Sequence, residues 1–101
     1  MRELLRGAVR LHILHHAAEN AVNGAWMTSE LARHGYKISP GALYPTLHKM
    51  EAEGLVRSHS EVVDGRARRS YVATAKGRRT LEATKRQLRE LAAEILGDEQ
   101  P

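Results

Sequence analysis

The chain has 101 residues, enough for one small domain, and no cysteine, which excludes disulfides, thiolate metal sites and cysteine nucleophiles. Phenylalanine is absent and aromatics make up 4% of the sequence, so the core has to come from Leu, Val, Ile, Ala and Met, a marginal stock that favours self-association. The net charge of +4 is uneven: between Arg57 and Arg89 ten basic residues stand against Glu61, Asp64 and Glu82, so this segment carries +7 and the remainder −3, a clustering that points to a polyanionic partner.

Residues 2–18 read as a first helix. At 100° per residue Arg2, Arg6, Arg10 and Glu3 share one sector, while Leu4, Leu5, Ala8, Val9, Leu11, Ile13 and Leu14 spread over more than half the circumference. An apolar arc that wide implies burial on two sides, by the chain's own core and by a partner. His12, His15 and His16 lie inside this arc; His12 and His16, four residues apart, can chelate a divalent ion, but with no acidic or cysteine ligand nearby in sequence the favoured reading is imidazoles filling a semi-polar dimer interface. A second helix follows with Asn23 as N-cap, Met27 and Leu31 inward and Gly35 as its stop. Trp26 sits off the inward stripe, as rim cover or as one wall of an effector pocket.

The stretch SPGALYPTLHKMEAEGL, residues 39–55, is a short helix with an unusual front end. Ser39 caps it and Pro40 fits the first helical position, where no backbone donor is needed. Leu43, Leu47 and Met50 fall on one face, and Gly54 supplies the left-handed terminus over which Leu55 folds back on Met50. The other face carries Gly41, Pro45, His48, Lys49 and Ala52, with Tyr44 on its flank. Pro45 lies past the free first turn and is expected to loosen or kink the helix there. So little relief suits close approach to something large and regular, such as the major groove of duplex DNA.

Val56, Val62, Val63, Tyr71 and Val72 then give strand character around Asp64-Gly65, a hairpin turn signal, with Arg66, Arg68 and Arg69 at the tip and on the returning strand. Thr74 caps a last helix to about Leu96, on which Leu81, Leu88 and Ile95 repeat every seven residues with Leu91 between them, a dimerisation seam. The expected fold is mainly α with a small β-hairpin. Residues 1–73 form a winged helix-turn-helix, 74–96 a dimerisation helix of the same domain, and 97–101 a tail.

SPGALYPTLHKMEAEGLV followed by DGRARRSYVATAKGR resembles the PadR family of bacterial transcriptional regulators, in its compact branch with a single C-terminal helix, over residues 9–96. Asn23-Gly24-Ala25 departs from the histidine-glycine-tyrosine that family often has at that place. The resemblance implies a dimeric repressor whose last helix packs on the partner's first helix, with an effector pocket near that interface. It also implies that Gly41, Tyr44, Pro45, Lys49 and the wing arginines face DNA, with His48 beside them on the same helix face. The effector site is expected at His12, His15, His16 and Trp26, taking a small molecule or a divalent metal such as zinc or cadmium, with no cofactor required.

An enzyme is disfavoured, because the only aspartates are Asp64 and Asp98 and neither a phosphate loop nor a nucleophile elbow occurs. The rival is a helical dimeric interaction module without specific DNA binding, which explains the last helix but leaves Pro45 and the arginine wing without a role. No apolar run nears the ~20 residues that span a bilayer, so a cytoplasmic protein without membrane contact is expected.

Overall fold

The structure, a computed structural model, describes residues 1–97; the remainder of the sequence-predicted tail, 98–101, lies outside the described residues. The elements in chain order are α1 (Arg2–Glu19), β1 (Val22–Asn23), α2 (Gly24–Arg33), α3 (Pro40–Ala52), β2 (Val56–Val63), β3 (Arg66–Ala73) and α4 (Ala75–Leu96). The strands form one antiparallel sheet in the order β1-β3-β2. This is a winged helix-turn-helix. No helix among the described residues is long and apolar enough to cross a membrane.

Local chemistry sets the helix limits. The Asn23 side chain accepts from the Trp26 amide at 2.9 Å and starts α2. That helix closes with Gly35 donating to the Ala32 carbonyl (3.0 Å) and Tyr36 to the Leu31 carbonyl (2.9 Å), a pair of hydrogen bonds that satisfies carbonyls left over by the last turn. Ser39 Oγ accepts from Ala42 N at 3.2 Å to open α3. The same closing pattern ends α3, where Gly54 donates to Glu51 and Leu55 to Met50, each at 2.9 Å.

Two features go beyond the sequence reading. The helix α3 runs through Pro45 without a break. The carbonyl that loses its donor is that of Gly41, on the exposed side where water can serve it, and the Thr46 hydroxyl donates to the neighbouring Ala42 carbonyl at 3.2 Å. The strand β1 was also not foreseen: Val22 and Asn23 pair with Tyr71 and Ser70, so Asn23 is both a strand residue and a helix cap.

The hairpin has the expected two-residue turn. Val63 pairs with Arg66, and Asp64 (φ 53°) and Gly65 (φ 77°) are both left-handed, which is the geometry that matches the twist of the flanking strands. Asp64 is the only non-glycine residue with positive φ among the described residues, and aspartate is one of the few side chains that tolerate it.

The core lies where α1, α2, α3, the base of the sheet and the first turns of α4 meet. Ile13, Met27, Leu31, Leu43, Met50 and Tyr71 are fully buried, and Leu47, Val56 and Ala17 nearly so. Of α1 only the C-terminal half is buried, through Ile13, Leu14 and Ala17, while Leu4 and Leu5 stand in solvent. The start of α4 is locked to the end of α3. Thr74 N donates to the Leu55 carbonyl (3.1 Å) and its hydroxyl to the Gly54 carbonyl (2.5 Å), while that hydroxyl oxygen accepts from Gly77 N (3.0 Å). Gly77 lies so close to the Leu55 carbonyl that a β-carbon there would collide with backbone.

That close approach yields a stability prediction. Gly77→Ala, which on helix propensity alone would stabilise α4, is expected to destabilise the fold by about 1–3 kcal/mol, because the obstacle is a carbonyl and not a mobile side chain. Urea unfolding followed by circular dichroism measures it.

Candidate nucleic-acid interface

The two faces of α3 separate cleanly. Leu43, Leu47 and Met50 are at most 1% exposed, whereas Gly41, Tyr44, Pro45, His48, Lys49 and Ala52 all face solvent. Glycine, proline and alanine leave that face low, so the backbone itself can approach a flat or grooved surface, with Tyr44 and Lys49 as the projecting polar tips.

Tyr44 is placed by α2. A β-carbon on Gly24 would lie 2.6 Å from the Tyr44 hydroxyl and 2.8 Å from its ring carbon, so the phenol rests directly against the first residue of α2. Beyond it a cleft of about 490 Å³ opens between the α2 N-terminus and the wing, lined by Asn23, Gly24 and Tyr44 on one side and Arg66, Arg68 and Arg69 on the other. The cleft exists because β1 covers only Tyr71 and Ser70 of β3, leaving the β3 edge from Arg69 to Arg66 open. Strand alternation puts Arg66 and Arg68 on one sheet face and Arg69 on the other, the face that buries Tyr71 and Ala73. Among the described residues none of the three arginines, nor Lys49, forms an ion pair. Arg68 stands across from Glu61, yet the Glu61 carboxylate instead accepts from the Ser70 hydroxyl at 3.3 Å.

The wing is oriented by one carboxylate. Glu51, near the end of α3, accepts from both the Ser58 amide (2.8 Å) and the Ser58 hydroxyl (2.7 Å), tying β2 to the reading helix. These bonds, the hydroxyl's first, hold its pKa below the ordinary carboxylate value. The sequence reading missed Glu51, since a glutamate seven residues before a serine carries no signal until a turn brings them together.

The remaining sequence-predicted residues divide in two. On α4, Leu81 is 7% exposed and belongs to the chain's own core, while Leu88 (47%), Leu91 (50%) and Ile95 (69%) are open together with Leu96. Leu81 is therefore removed from the predicted seam, because the first turns of α4 pack against α1 and the sheet and only the part beyond them projects. On α1, His15 points to solvent, whereas the partly buried His12 and His16 turn towards α2. The His12 ring lies 4.8 Å from that of His34 and 5.2 Å from Tyr36, and Trp26 meets His16 edge-on at 5.1 Å. Burial first, and then the neighbouring imidazoles, depress the His12 pKa. Glu30 Oε2 lies 3.2 Å from His16 Nε2 and 3.1 Å from His34 Nε2, and Arg33 grips the same carboxylate at 2.9 and 3.0 Å. The Arg33 bonds dominate in lowering the Glu30 pKa to about 2. His34, exposed at the end of α2, also belongs to this cluster; the α1–α2 packing that joins it to His12 leaves no local pattern.

The fold and this face define a winged helix-turn-helix protein with a basic wing. The family model described as "Transcriptional regulator PadR-like family" matches residues 13–83. Transcriptional regulator Rv3488 of Mycobacterium tuberculosis is 65% identical over 97 residues, which cover 96% of this chain and 91% of that protein. The chain belongs to the PadR-like family of transcriptional regulators. A PadR-like regulator from Bacillus cereus superposes with a TM-score of 0.85 at 27% identity, covering 98% of both chains. Bacillus subtilis PadR, solved in complex with operator DNA, has the same fold at a TM-score of 0.68 and 19% identity over 75% of this chain and 45% of its own.

The Glu51–Ser58 bonds predict a pH dependence. A carboxylate whose pKa falls on folding contributes stability that is present above its unfolded value and is lost as pH drops through the folded one. Wild type is therefore expected to lose its advantage over Glu51→Gln on acidification, the two urea midpoints converging below the ordinary carboxylate range. Midpoints that stay equally far apart from neutral to acid pH would show that the charge of Glu51 is not what holds the wing.

Proposed function

We propose that this regulator binds duplex DNA sequence-specifically as a homodimer, acting as a ligand-responsive repressor, with α3 in the major groove and the β2–β3 wing on the adjacent minor groove or phosphates. The observation that carries it is the low, exposed α3 face (Gly41, Tyr44, Pro45, His48, Lys49) set beside three unpaired wing arginines across one cleft. The same fold bound to operator in the Bacillus subtilis relative supports the reading. Arg66, Arg68 and Arg69 position the protein on phosphates, and Tyr44 and Lys49 read base edges. The interaction-module alternative accounts for the exposed end of α4 but gives these cations no task.

The dimer is assigned to two unpartnered apolar strips, Leu88, Leu91, Ile95 and Leu96 on α4 and Leu4 and Leu5 on α1. Burying one such leucine contributes ~1.5–3 kcal/mol, so several together decide association. Two-fold symmetry then calls for a near-palindromic operator with half-sites about one DNA turn, or a multiple, apart. The effector site is assigned to the histidine-rich side of α1 with Trp26, from which a ligand can alter the spacing of the two reading heads.

Gel shifts over a salt series test the DNA reading. Arg68→Ala/Arg69→Ala is expected to weaken binding to all sequences and to flatten the slope of log K against log salt by roughly 0.9 for every phosphate that is no longer neutralised. Tyr44→Ala or Lys49→Ala is expected to cost more on the selected operator than on random DNA; equal losses on both would remove α3 from the reading role. Leu91→Asp is expected to sediment as a monomer and to lose tight operator binding, and an unaltered dimer would move the interface elsewhere.

A further inference from the structure

We propose that the slot between the N-terminal half of α1 and the exposed face of α3 binds a small organic acid with a flexible aliphatic body, the tail inside and the anionic head on the rim. The site itself rests on geometry and charge; its effect on DNA rests on the DNA-binding reading above.

The slot has a volume of about 650 Å³, within the range of small-molecule sites. Leu5 and Val9 line it from α1, Ala42 and Pro45 from α3, and Ile38 from the segment joining α2 to α3. Along α3 the lining residues Ala42, Pro45, Thr46 and Lys49 keep the spacing of one helix stripe, so that wall is about 10 Å long at roughly 1.5 Å per residue. Tyr36 is the one aromatic residue on the border. Walls this elongated and this poor in rings suit a chain that follows the stripe better than a stacked aromatic ligand.

The rim selects the charge. Four charged residues border the slot and all are cations: Arg6 and Arg10 from α1, Lys37 from the α2–α3 segment and Lys49 from α3. Arg10 is already paired with Glu53. Among the described residues Arg6, Lys37 and Lys49 form no ion pair. Three uncompensated cations from three separate segments therefore surround one apolar slot. An acid head can take charge-assisted hydrogen bonds from them while its tail leaves water for the slot. Duplex phosphates fit the cations but cannot fill the apolar walls. The rival occupant is a second copy of the chain. Leu4 does not border the slot, so a copy packed on Leu4 and Leu5 meets it only at the Leu5 edge.

The consequence lies with Pro45 and Lys49, which belong both to the slot and to the α3 face assigned to DNA. An acid head paired with Lys49 withdraws that cation from the duplex and sets a negative charge against the phosphates. Ligand and operator then oppose one another, each lowering the other's affinity by the same factor.

The test titrates the full chain by calorimetry with decanoate held below its micellar concentration. One decanoate per chain is expected, with affinity about tenfold above that of octanoate as the added methylenes enter the slot. Decylamine, with the same tail and the opposite charge, is expected not to bind. Arg6→Ala and Lys37→Ala are each expected to lower decanoate affinity by about tenfold. Ala42→Leu, which fills the slot with a good helix former, is expected to abolish binding, and Arg79→Ala, which removes an exposed cation of α4, to leave it unchanged. Circular dichroism checks that each variant is folded. Decylamine binding as tightly as decanoate, or wild-type affinity in Ala42→Leu, would overturn the site. So would uptake seen only in the Leu91→Asp monomer, which would mean that a second copy fills the slot in the dimer. Gel shifts on a duplex selected from random sequence keep the two readings apart. Operator binding weakened by decanoate and not by acetate supports the coupling. Operator binding by a protein that takes up no decanoate overturns this inference alone, and decanoate uptake by a protein that binds no duplex overturns only the DNA reading.

Discussion

The three carbonyls that follow α3 are where the rest of the molecule is fastened. The Leu55 carbonyl takes the Thr74 amide, the Gly54 carbonyl takes the Thr74 hydroxyl, and the Glu53 carbonyl takes the Lys76 ammonium at 2.7 Å. The Glu53 side chain pairs with Arg10 of α1, and Gly77 packs its bare α-carbon against Leu55. Three consecutive carbonyls just past α3, those of Glu53, Gly54 and Leu55, hold the start of α4, and the side chain of Glu53 holds α1. The exposed face of α3 is therefore presented from a fixed base, so a projecting Tyr44 or Lys49 keeps its place relative to the wing and to α4. Glu51 completes the arrangement by carrying the same helix end into β2 through Ser58.

That joint makes the molecule lopsided. Its first turns take α4 into the core as far as Leu81, and the rest of the 22-residue helix projects, giving extents of 53 × 28 × 23 Å. What projects is apolar on one side, and the N-terminal half of α1 is equally open. A small domain without phenylalanine has little interior to spare, and this one leaves ten large hydrophobic residues exposed among those described, far more than scattered surface leucines explain.

Much of the fold was legible because its signals are local. Ser39, Thr74 and Asn23 each cap the helix they precede, Gly35 and Gly54 each end one, and Asp64-Gly65 sets a two-residue turn whose conformation few other pairs adopt. Heptad spacing on α4 misled for Leu81, because a repeat of seven marks a continuous stripe without telling which stretch of it the chain covers itself. The two-residue strand β1 escaped because its pairing partner lies about 50 positions away. The neighbours that only tertiary packing creates were out of reach: Tyr44 on Gly24, Glu51 on Ser58, and His34 against His12. The exposed face of α3 could be read directly, since in a short helix the residues opposite a buried stripe have nowhere else to point.

The claim on which the functional account turns is that α3 enters the major groove. Methylation interference on the selected operator tests it, because dimethyl sulfate marks guanine N7 in the major groove and adenine N3 in the minor groove. The account predicts guanine N7 interference within each half-site, weakened at particular guanines by Lys49→Met and unaltered in pattern by replacement of the wing arginines. Interference confined to adenine N3, or a guanine pattern that disappears with Arg68 and Arg69 and ignores Lys49, would contradict it.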